Sequence, residues 1–159
     1  MRSSIAVIAA LAALTAATAA PAQEVPYPKG YRDWTHVKTM VINPGHSLYD
    51  AFGGIHHLYA NKLALQGYAS GKFPEGAVIV FDLLESKSAD NAVTEGTRKV
   101  IGVMQKDSKR YAATGGWGFE GFKGDSKTER AVGANAAKAC FECHTSQKAR
   151  DYVFSSMRN

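Results

Sequence analysis

The stretch Ala139-Cys140-Phe141-Glu142-Cys143-His144-Thr145 contains two cysteines that are separated by two residues and followed directly by a histidine. Cys-x-x-Cys-His is the signature at which a c-type haem is attached to a polypeptide. The spacing suits this chemistry, because each thiol can add to one of the two haem vinyl groups and the adjacent imidazole then lies under the iron. The motif therefore predicts one covalently attached haem c, with Cys140 and Cys143 as attachment points and His144 as proximal iron ligand.

Two other uses of a Cys-x-x-Cys pair suit this chain less well. A zinc site needs further cysteine or histidine ligands at suitable spacing. The chain has 2 cysteines, and its other histidines lie far upstream, at His36, His46, His56 and His57. A redox dithiol normally stands at the start of a helix early in a βαβ pattern, whereas this motif lies near the C-terminal end. Haem attachment is therefore the preferred interpretation.

The N-terminal residues have the features of a secretory signal peptide. A short basic start, Met1-Arg2, precedes an apolar run over residues 5–14, and Ala20-Pro21-Ala22 is a small-x-small cleavage site. The apolar run is too short to span a bilayer, which takes about 20 residues. We therefore expect a signal peptide over residues 1–22, no membrane span and a periplasmic protein, with Ala17-Thr18-Ala19 as an alternative cleavage site.

The charge of the chain excludes one class of partner. The sequence has 19 basic and 14 acidic residues, a formal net charge of +5. These charges are spread along the chain, and no basic stripe with interleaved aromatic residues accompanies them, so we expect no nucleic-acid binding. A mildly basic surface would help docking to an acidic redox partner, although an ordinary solvated surface explains the same charge.

The remaining sequence is typical of one domain over residues 31–159, preceded by an extended arm over 23–30. Turn residues and alternating apolar positions predict strands, a short helix that is capped by Asn61, and a second helix that leads into the haem motif. The strands are expected at 34–42, 55–59, 77–84 and 98–105, the helices at 61–68 and from 134, and a polar loop at 85–91. The aromatic and glycine residues of 111–122 indicate a strand over which a planar group passes closely.

Several side chains are candidates for the side of the iron opposite His144. Alternation places Phe81 on one face of its strand and Asp82 on the other. His56 and His57 are adjacent on a strand, so at most one of them reaches the haem. Met104 is a candidate sixth ligand, although a methionine in a strand ordinarily belongs to the core.

The order and spacing of several motifs resemble the cytochrome P460 and cytochrome c′-beta family over essentially the whole mature chain. The resemblance implies an α+β fold, mainly an antiparallel β-sheet with a few helices, which holds a five-coordinate c-type haem and is usually dimeric. The motifs are Tyr31-Arg32-x-Trp34, His57-x-Tyr59-Ala60-Asn61, Phe73-Pro74-Glu75-Gly76-Ala77-Val78-Ile79-Val80, Cys140-x-x-Cys143-His144 and Asp151-Tyr152-Val153-Phe154.

One departure from the family pattern bears on function. In cytochrome P460 proper, a lysine soon after the Gly-x-Val-x-Val strand is linked covalently to the haem and supports hydroxylamine oxidation. Phe81 stands in that place here, while Lys72 and Lys87 lie elsewhere in the sequence. Because phenylalanine cannot form the link, the resemblance favours the c′-beta branch, whose apolar pocket binds small gases such as nitric oxide.

Three functions therefore remain open at this point. The first is a periplasmic haem protein that binds nitric oxide or a similar gas as scavenger, carrier or sensor. The second is an enzyme that oxidises hydroxylamine or reduces peroxide, for which Asp82 or Glu85 would be the distal acid or base. The third is an electron-transfer cytochrome with Met104 or a histidine as sixth ligand.

Overall fold

Five strands form one antiparallel sheet in the computed structural model, which describes residues 24–158. The strands lie side by side in the order in which they occur in the chain, so each one pairs with its sequence neighbour. Their bounds are β1 Thr35–Ile42, β2 Gly54–Ala60, β3 Val78–Ala89, β4 Ala92–Lys106 and β5 Trp117–Lys123. Together with a few helices, this sheet confirms the expected α+β class.

The helices are short. Two of them, α1 at Tyr49–Phe52 and α2 at Lys62–Ser70, flank β2. A C-terminal helical segment, residues 133–150, contains a 3₁₀ turn at Gly133–Asn135, a π-helical stretch at Ala137–Phe141, α3 at Glu142–His144 and a 3₁₀ stretch at Thr145–Arg150. Further 3₁₀ turns lie at Tyr31–Asp33 and Ala112–Thr114. The helix that we expected to lead into the motif is therefore present, in several pieces.

Asn61 caps α2 as predicted and also ties this helix to β3. Its side-chain oxygen accepts hydrogen bonds from the N–H of Ala64 at 2.8 Å and of Val78 at 3.1 Å. Its amide nitrogen donates to the carbonyl oxygen of Gly76 at 2.9 Å. One side chain thus satisfies the start of the helix and the start of the central strand.

The polar loop expected over residues 85–91 is wrong. Instead, β3 continues to Ala89, and β4 begins at Ala92. Asp90 and Asn91, which join them, have positive φ angles of 51° and 59°. This geometry belongs to a tight two-residue hairpin turn, for which Asn and Asp are favoured. The side chains from Glu85 to Ala89 are exposed, so no apolar alternation marked the strand in the sequence.

The two faces of the sheet are covered by different parts of the chain. The C-terminal face, defined by Ala60, Ile79, Met104 and Phe119, packs against α2 and the C-terminal helical segment. The N-terminal face, defined by Val80, Ile101, Val103 and Phe122, packs against Val25, Tyr27 and Tyr31. The central strand β3 therefore has apolar residues on both faces, as its sequence predicted.

Residues 24–30 contain neither helix nor strand, and Val25 within them is buried. Between residues 24 and 158, no helix has the length and apolar character needed to cross a bilayer. The predicted signal peptide, residues 1–22, lies outside the described residues.

Candidate haem site

The C-terminal helical segment brings the three residues of the motif to the C-terminal face of the sheet. Cys140, Cys143 and His144 lie at positions i, i+3 and i+4 of one continuous helical stretch, so their side chains share one side of it. Both thiols are free; Cys140 is half-buried in the apolar cluster of that face, and Cys143 is exposed. The two thiols and the imidazole are thus presented together.

The environment of Cys140 argues against a reactive dithiol. Burial raises the pKa of the Cys140 thiol to about 11, whereas redox-active cysteines have lowered pKa values that keep them as thiolates. A zinc site also lacks ligands, because residues 24–158 contain no group of three or more Cys, His, Asp or Glu side chains that could hold a metal ion. The burial of Cys140 therefore argues against a redox dithiol.

His144 is oriented by a hydrogen bond to the backbone. Its Nδ1 lies 2.7 Å from the carbonyl oxygen of Tyr152, which can only accept, so Nδ1 carries the proton and donates. Burial lowers the pKa of His144, although the Tyr152 hydrogen bond partly opposes this shift. The ring is therefore neutral at pH 7, and its Nε2 presents a lone pair, which is the state that metal-ligating histidines adopt.

Aromatic rings surround the imidazole of His144. The ring centres of Phe119 and Phe154 each lie 5.0 Å from that of His144. Phe119 belongs to β5 and points from the C-terminal face, so it connects the motif with the sheet. The imidazole thus stands in a mainly apolar environment, which strengthens any bond to a metal by excluding water.

Phe81 lies on the same face of the sheet as the motif, and Asp82 lies on the opposite face, as the alternation predicted for this pair. Phe81 pairs with Leu58 on one side and with Gly102 on the other, two residues along β3 from Ile79, which is in the cross-strand row that contains Phe119. A Cβ atom at Gly102 would meet Cδ1 of Phe81 at 2.8 Å, so the ring leans over this glycine. The absence of a side chain at Gly102 therefore decides where the Phe81 ring can lie.

Two further side chains pack against Phe81. The ring centres of Phe52, in α1, and of His56, in β2, lie 5.9 and 4.7 Å from it in edge-to-face arrangements. Sequence reasoning missed Phe52, because a helix of four residues has no detectable periodicity. Phe81 is therefore in contact with two aromatic rings, that of the exposed Phe52 and that of the buried His56.

The two adjacent histidines point to opposite faces, as predicted. His56 is buried on the C-terminal face, and its Nε2 is hydrogen-bonded to the carbonyl oxygen of Phe52. Burial lowers the pKa of His56, so the ring is neutral at pH 7. His57 faces the other side, where its Nε2 lies 2.6 Å from Glu95 and its Nδ1 lies 2.8 Å from Thr39. Only His56 of this pair thus shares a face with Phe81.

The two carboxylates considered as distal acid or base lie in unfavourable places. Asp82 is buried on the N-terminal face, where it accepts hydrogen bonds from Tyr31 Oη and Arg98 Nε, each at 2.6 Å. Glu85 is exposed and accepts a hydrogen bond from the N–H of Thr97 at 3.3 Å. Asp82 therefore serves a buried ion pair, and Glu85 is solvated.

The remaining side chains that the sequence analysis considered near the haem are Met104, Lys72 and Lys87. Met104 is half-buried in the row that contains Phe119, within the apolar cluster that also includes Cys140. Lys87 lies opposite Thr94 near the hairpin turn, and Lys72 follows α2. Lys72 lines a surface cavity of about 460 Å³ that does not include the motif. The sixth-ligand role of Met104 stays a prediction.

A profile of the cytochrome P460 family matches residues 28–155, a range that includes all five strands and the Cys-x-x-Cys-His motif. The chain belongs to the cytochrome P460 family. No curated protein sequence matches it. Membership of the cytochrome P460 family implies a haem cofactor, and it confirms the resemblance at the level of the family rather than of the c′-beta branch.

The residues present at the motif fit the haem that the cytochrome P460 family implies. Cys140 and Cys143 are free thiols on one side of a helical stretch, and the hydrogen bond to Tyr152 leaves His144 Nε2 available. The adjoining sheet face offers apolar and aromatic side chains, as a large planar cofactor requires. The residues that would hold the haem are therefore Cys140, Cys143 and His144, with Phe81 on the same face of the sheet.

Proposed function

We propose that this member of the cytochrome P460 family carries one haem c and binds small gases such as nitric oxide in the periplasm, as scavenger, carrier or sensor. Cys140 and Cys143 are the attachment points, and His144 Nε2 is the proximal ligand. The observation that carries the proposal is the hydrogen bond from His144 Nδ1 to the Tyr152 carbonyl, because it leaves the lone pair of Nε2 available to bind iron. A haem held by one histidine supplies an open iron position at which small gases bind.

The side chains around Phe81 support gas binding over enzyme chemistry. Hydroxylamine or peroxide turnover needs a group that moves protons beside the reacting atoms. Phe81 and Phe52 offer none, Asp82 is held on the opposite face, and Glu85 is exposed. The Nε2 atom of His56 is hydrogen-bonded to the carbonyl oxygen of Phe52, so this nitrogen is already occupied. We therefore assign this protein to the c′-beta branch, with Phe81 as a residue of the distal pocket.

An electron-transfer cytochrome is the second candidate, because Met104 supports it. This methionine lies in the row of the sheet that contains Phe119, the ring in contact with His144. A thioether within reach of the iron would complete a six-coordinate site. In that case the protein would exchange electrons with a periplasmic partner instead of binding a gas.

We also propose that the protein forms a homodimer through the edge of the sheet at β1. The strand β1 forms one edge of the sheet, and it exposes Met40 and Val41 with 49% and 43% of their surface accessible. Leu48 and Tyr49, which follow β1 in the chain, are also exposed. An apolar edge of this kind is stabilised when a second copy covers it. Light scattering of the holoprotein at several concentrations should give the mass of a dimer.

Absorption spectroscopy with acid-acetone extraction tests the central proposal. We expect the haem to stay on the wild-type polypeptide and to leave the Cys140→Ser/Cys143→Ser double variant, with Ser146→Ala as control. A five-coordinate high-spin ferrous spectrum that changes on addition of nitric oxide would support gas binding, and His144→Ala should lose the histidine-ligated form. A low-spin six-coordinate spectrum would favour electron transfer. Extraction of the wild-type haem into the solvent would contradict covalent attachment.

A further inference from the structure

The turn that accepts the hydrogen bond of His144 has an unfavourable backbone conformation. Asp151 and Tyr152 are consecutive residues with positive φ angles of 51° and 65°. Residues with a side chain rarely adopt this left-handed conformation, and two in succession are rarer still. Such a conformation persists only where the surrounding contacts over-determine it, and it concentrates at functional sites.

The contacts that hold the turn converge on Asp151. Its carboxylate accepts a hydrogen bond from Lys106 Nζ at 2.7 Å and another from the N–H of Phe73 at 2.8 Å. Its carbonyl oxygen accepts a hydrogen bond from Trp117 Nε1 at 2.8 Å. Lys106 and Trp117 are themselves buried, with 8% and 0% of their surface exposed. Asp151 is thus fixed to the end of β4, the start of β5 and the loop before β3.

Tyr152 is fixed on two further sides. Its N–H donates to the carbonyl oxygen of Gln147 at 2.9 Å. Its ring packs against Gly115, where a Cβ atom would lie 2.4 Å from the nearest ring carbon. The carbonyl oxygen of Tyr152 is therefore held in one place, and that place is 2.7 Å from His144 Nδ1.

We propose that Asp151 is a positioning residue for the proximal ligand: through Lys106 and Trp117 it holds the Tyr152 carbonyl against His144 Nδ1. The role rests on the proposed ligation of the haem by His144. A firm hydrogen bond at Nδ1 fixes the ring orientation and raises the electron density at Nε2, which strengthens its bond to iron and stabilises ferric haem. Asp151 acts through the backbone of the turn, because Lys106 and the N–H of Phe73 already engage its carboxylate.

Resonance Raman spectroscopy of the ferrous holoprotein tests this role, because it detects the iron–histidine stretching band directly. Asp151→Asn keeps the size of the side chain and loses the ion pair with Lys106. We expect this variant to shift the band to lower frequency and the reduction potential to higher values. Lys106→Met removes the other partner of the ion pair and should shift the band and the reduction potential in the same directions as Asp151→Asn. Lys106→Arg keeps the positive charge, so its band and reduction potential should lie closer to those of the wild type.

Asp82→Asn is the matched control. It breaks a buried ion pair with Arg98 on the opposite face of the sheet, so it should lower the melting temperature without moving the iron–histidine band. Asp151→Asn and Lys106→Met variants that lose melting temperature but keep the wild-type band and potential would overturn the positioning role alone. A wild-type ferrous protein that is five-coordinate and high-spin but has no iron–histidine band would overturn ligation by His144 and the positioning role together. In a six-coordinate wild type, in which this band is not enhanced, the reduction potentials of the variants give the result instead. If Asp151→Asn does not fold, the band and the reduction potential of Lys106→Met test the positioning role on their own.

Discussion

Phe81 is the residue at which gas binding and enzyme chemistry are most sharply distinguished. We expect Phe81→Ala to speed the association of carbon monoxide and nitric oxide with the ferrous haem, because removing the ring opens space on that face. The loss of stability should not exceed about 3–5 kcal/mol, the cost of truncating a fully buried ring, since Phe81 is half-buried. Stopped-flow mixing of the reduced protein with either gas measures the rate.

Val80→Ala is the control for this variant, because Val80 neighbours Phe81 in β3 but points from the N-terminal face. It should lower stability and leave the association rate unchanged. Phe81→Lys is a further variant, since it restores the residue type that forms the haem link in cytochrome P460 proper. Identical traces for Phe81→Ala and wild type would place Phe81 outside the pocket and remove the main support for the c′-beta branch.

At the residue scale, the sequence predicted those features of the site that depend only on side-chain type and on the spacing between residues. The thiols and imidazole of the motif, and the opposite orientation of His56 and His57, follow from residue type and from strand or helix geometry. The acceptor at His144 is a backbone carbonyl of Tyr152, and every residue has such a group. Only the path of the folded chain determines which carbonyl reaches Nδ1, so this part of the site could not be predicted.

Asn61 offers a test at the scale of a single element. Asn61→Ala should lower the free energy of unfolding by about 2 kcal/mol or more, because a helix cap is worth about 1 kcal/mol and the N–H of Val78 also loses its acceptor. Asn61→Asp keeps that acceptor and loses only the donation to Gly76, so it should cost less. Urea unfolding of both variants gives the comparison, and equal losses would contradict the role assigned to the side-chain oxygen.

Glu120 ties the segment that precedes the motif to β5. Its carboxylate accepts hydrogen bonds from Arg130 at 2.8 Å and from the N–H groups of Val132 and Gly133, each at 3.1 Å. Burial favours the neutral acid, but these hydrogen bonds, with one from Gly121, outweigh it and hold the pKa of Glu120 below its usual value. The ionised carboxylate therefore stabilises the folded protein.

The pH dependence of stability tests this role. A lowered pKa gives a contribution that is complete above about pH 4.3, the ordinary value for glutamate, and is lost as the pH falls through the folded-state pKa. Glu120→Gln should cost about 1–3 kcal/mol at pH 7, and its difference from wild type should shrink below about pH 4.3. Urea unfolding of wild type and Glu120→Gln, from pH 7 to below about pH 4.3, measures this difference in the free energy of unfolding. Glu129→Gln is the control, because Glu129 is exposed and pairs with Lys123 at the surface; it should change the free energy of unfolding by less than about 1 kcal/mol. A Glu120→Gln difference that stays constant with pH would contradict the stabilising role of the ionised Glu120 carboxylate.

At the element scale, the sequence predicted strands wherever one face is buried. The alternation of β3 up to Leu84 is visible for this reason, and its continuation to Ala89 is not, because both faces of the outer hairpin are exposed. The alanine and lysine residues before Cys140 indicated a helix, but they could not indicate that it would be divided into π, α and 3₁₀ turns. Those differences depend on how the segment packs against the sheet.

For the whole molecule, the periplasmic proposal depends on residues 1–22, which lie outside the described part of the chain. Expression in a bacterium with a cytochrome c maturation system should yield a polypeptide that begins at or near Gln23 and carries the mass of one haem. A start at Ala20 would indicate the alternative cleavage site. Mass spectrometry of the periplasmic fraction measures both, and a soluble periplasmic chain that retains Met1 would contradict the prediction of a cleaved signal peptide.

The sheet has one further consequence, which concerns the order in which the protein folds. Every strand pairs with its neighbour in sequence, so each step closes only a short loop, and chains with such local contacts fold comparatively fast. The last strand ends at Lys123, well before Cys140. Under the proposed function, the sheet can therefore form after export while both thiols are still on an unfolded segment, which an enzyme that attaches haem could reach. With the proposed haem already attached, the C-terminal helical segment would then pack against a sheet that is already folded.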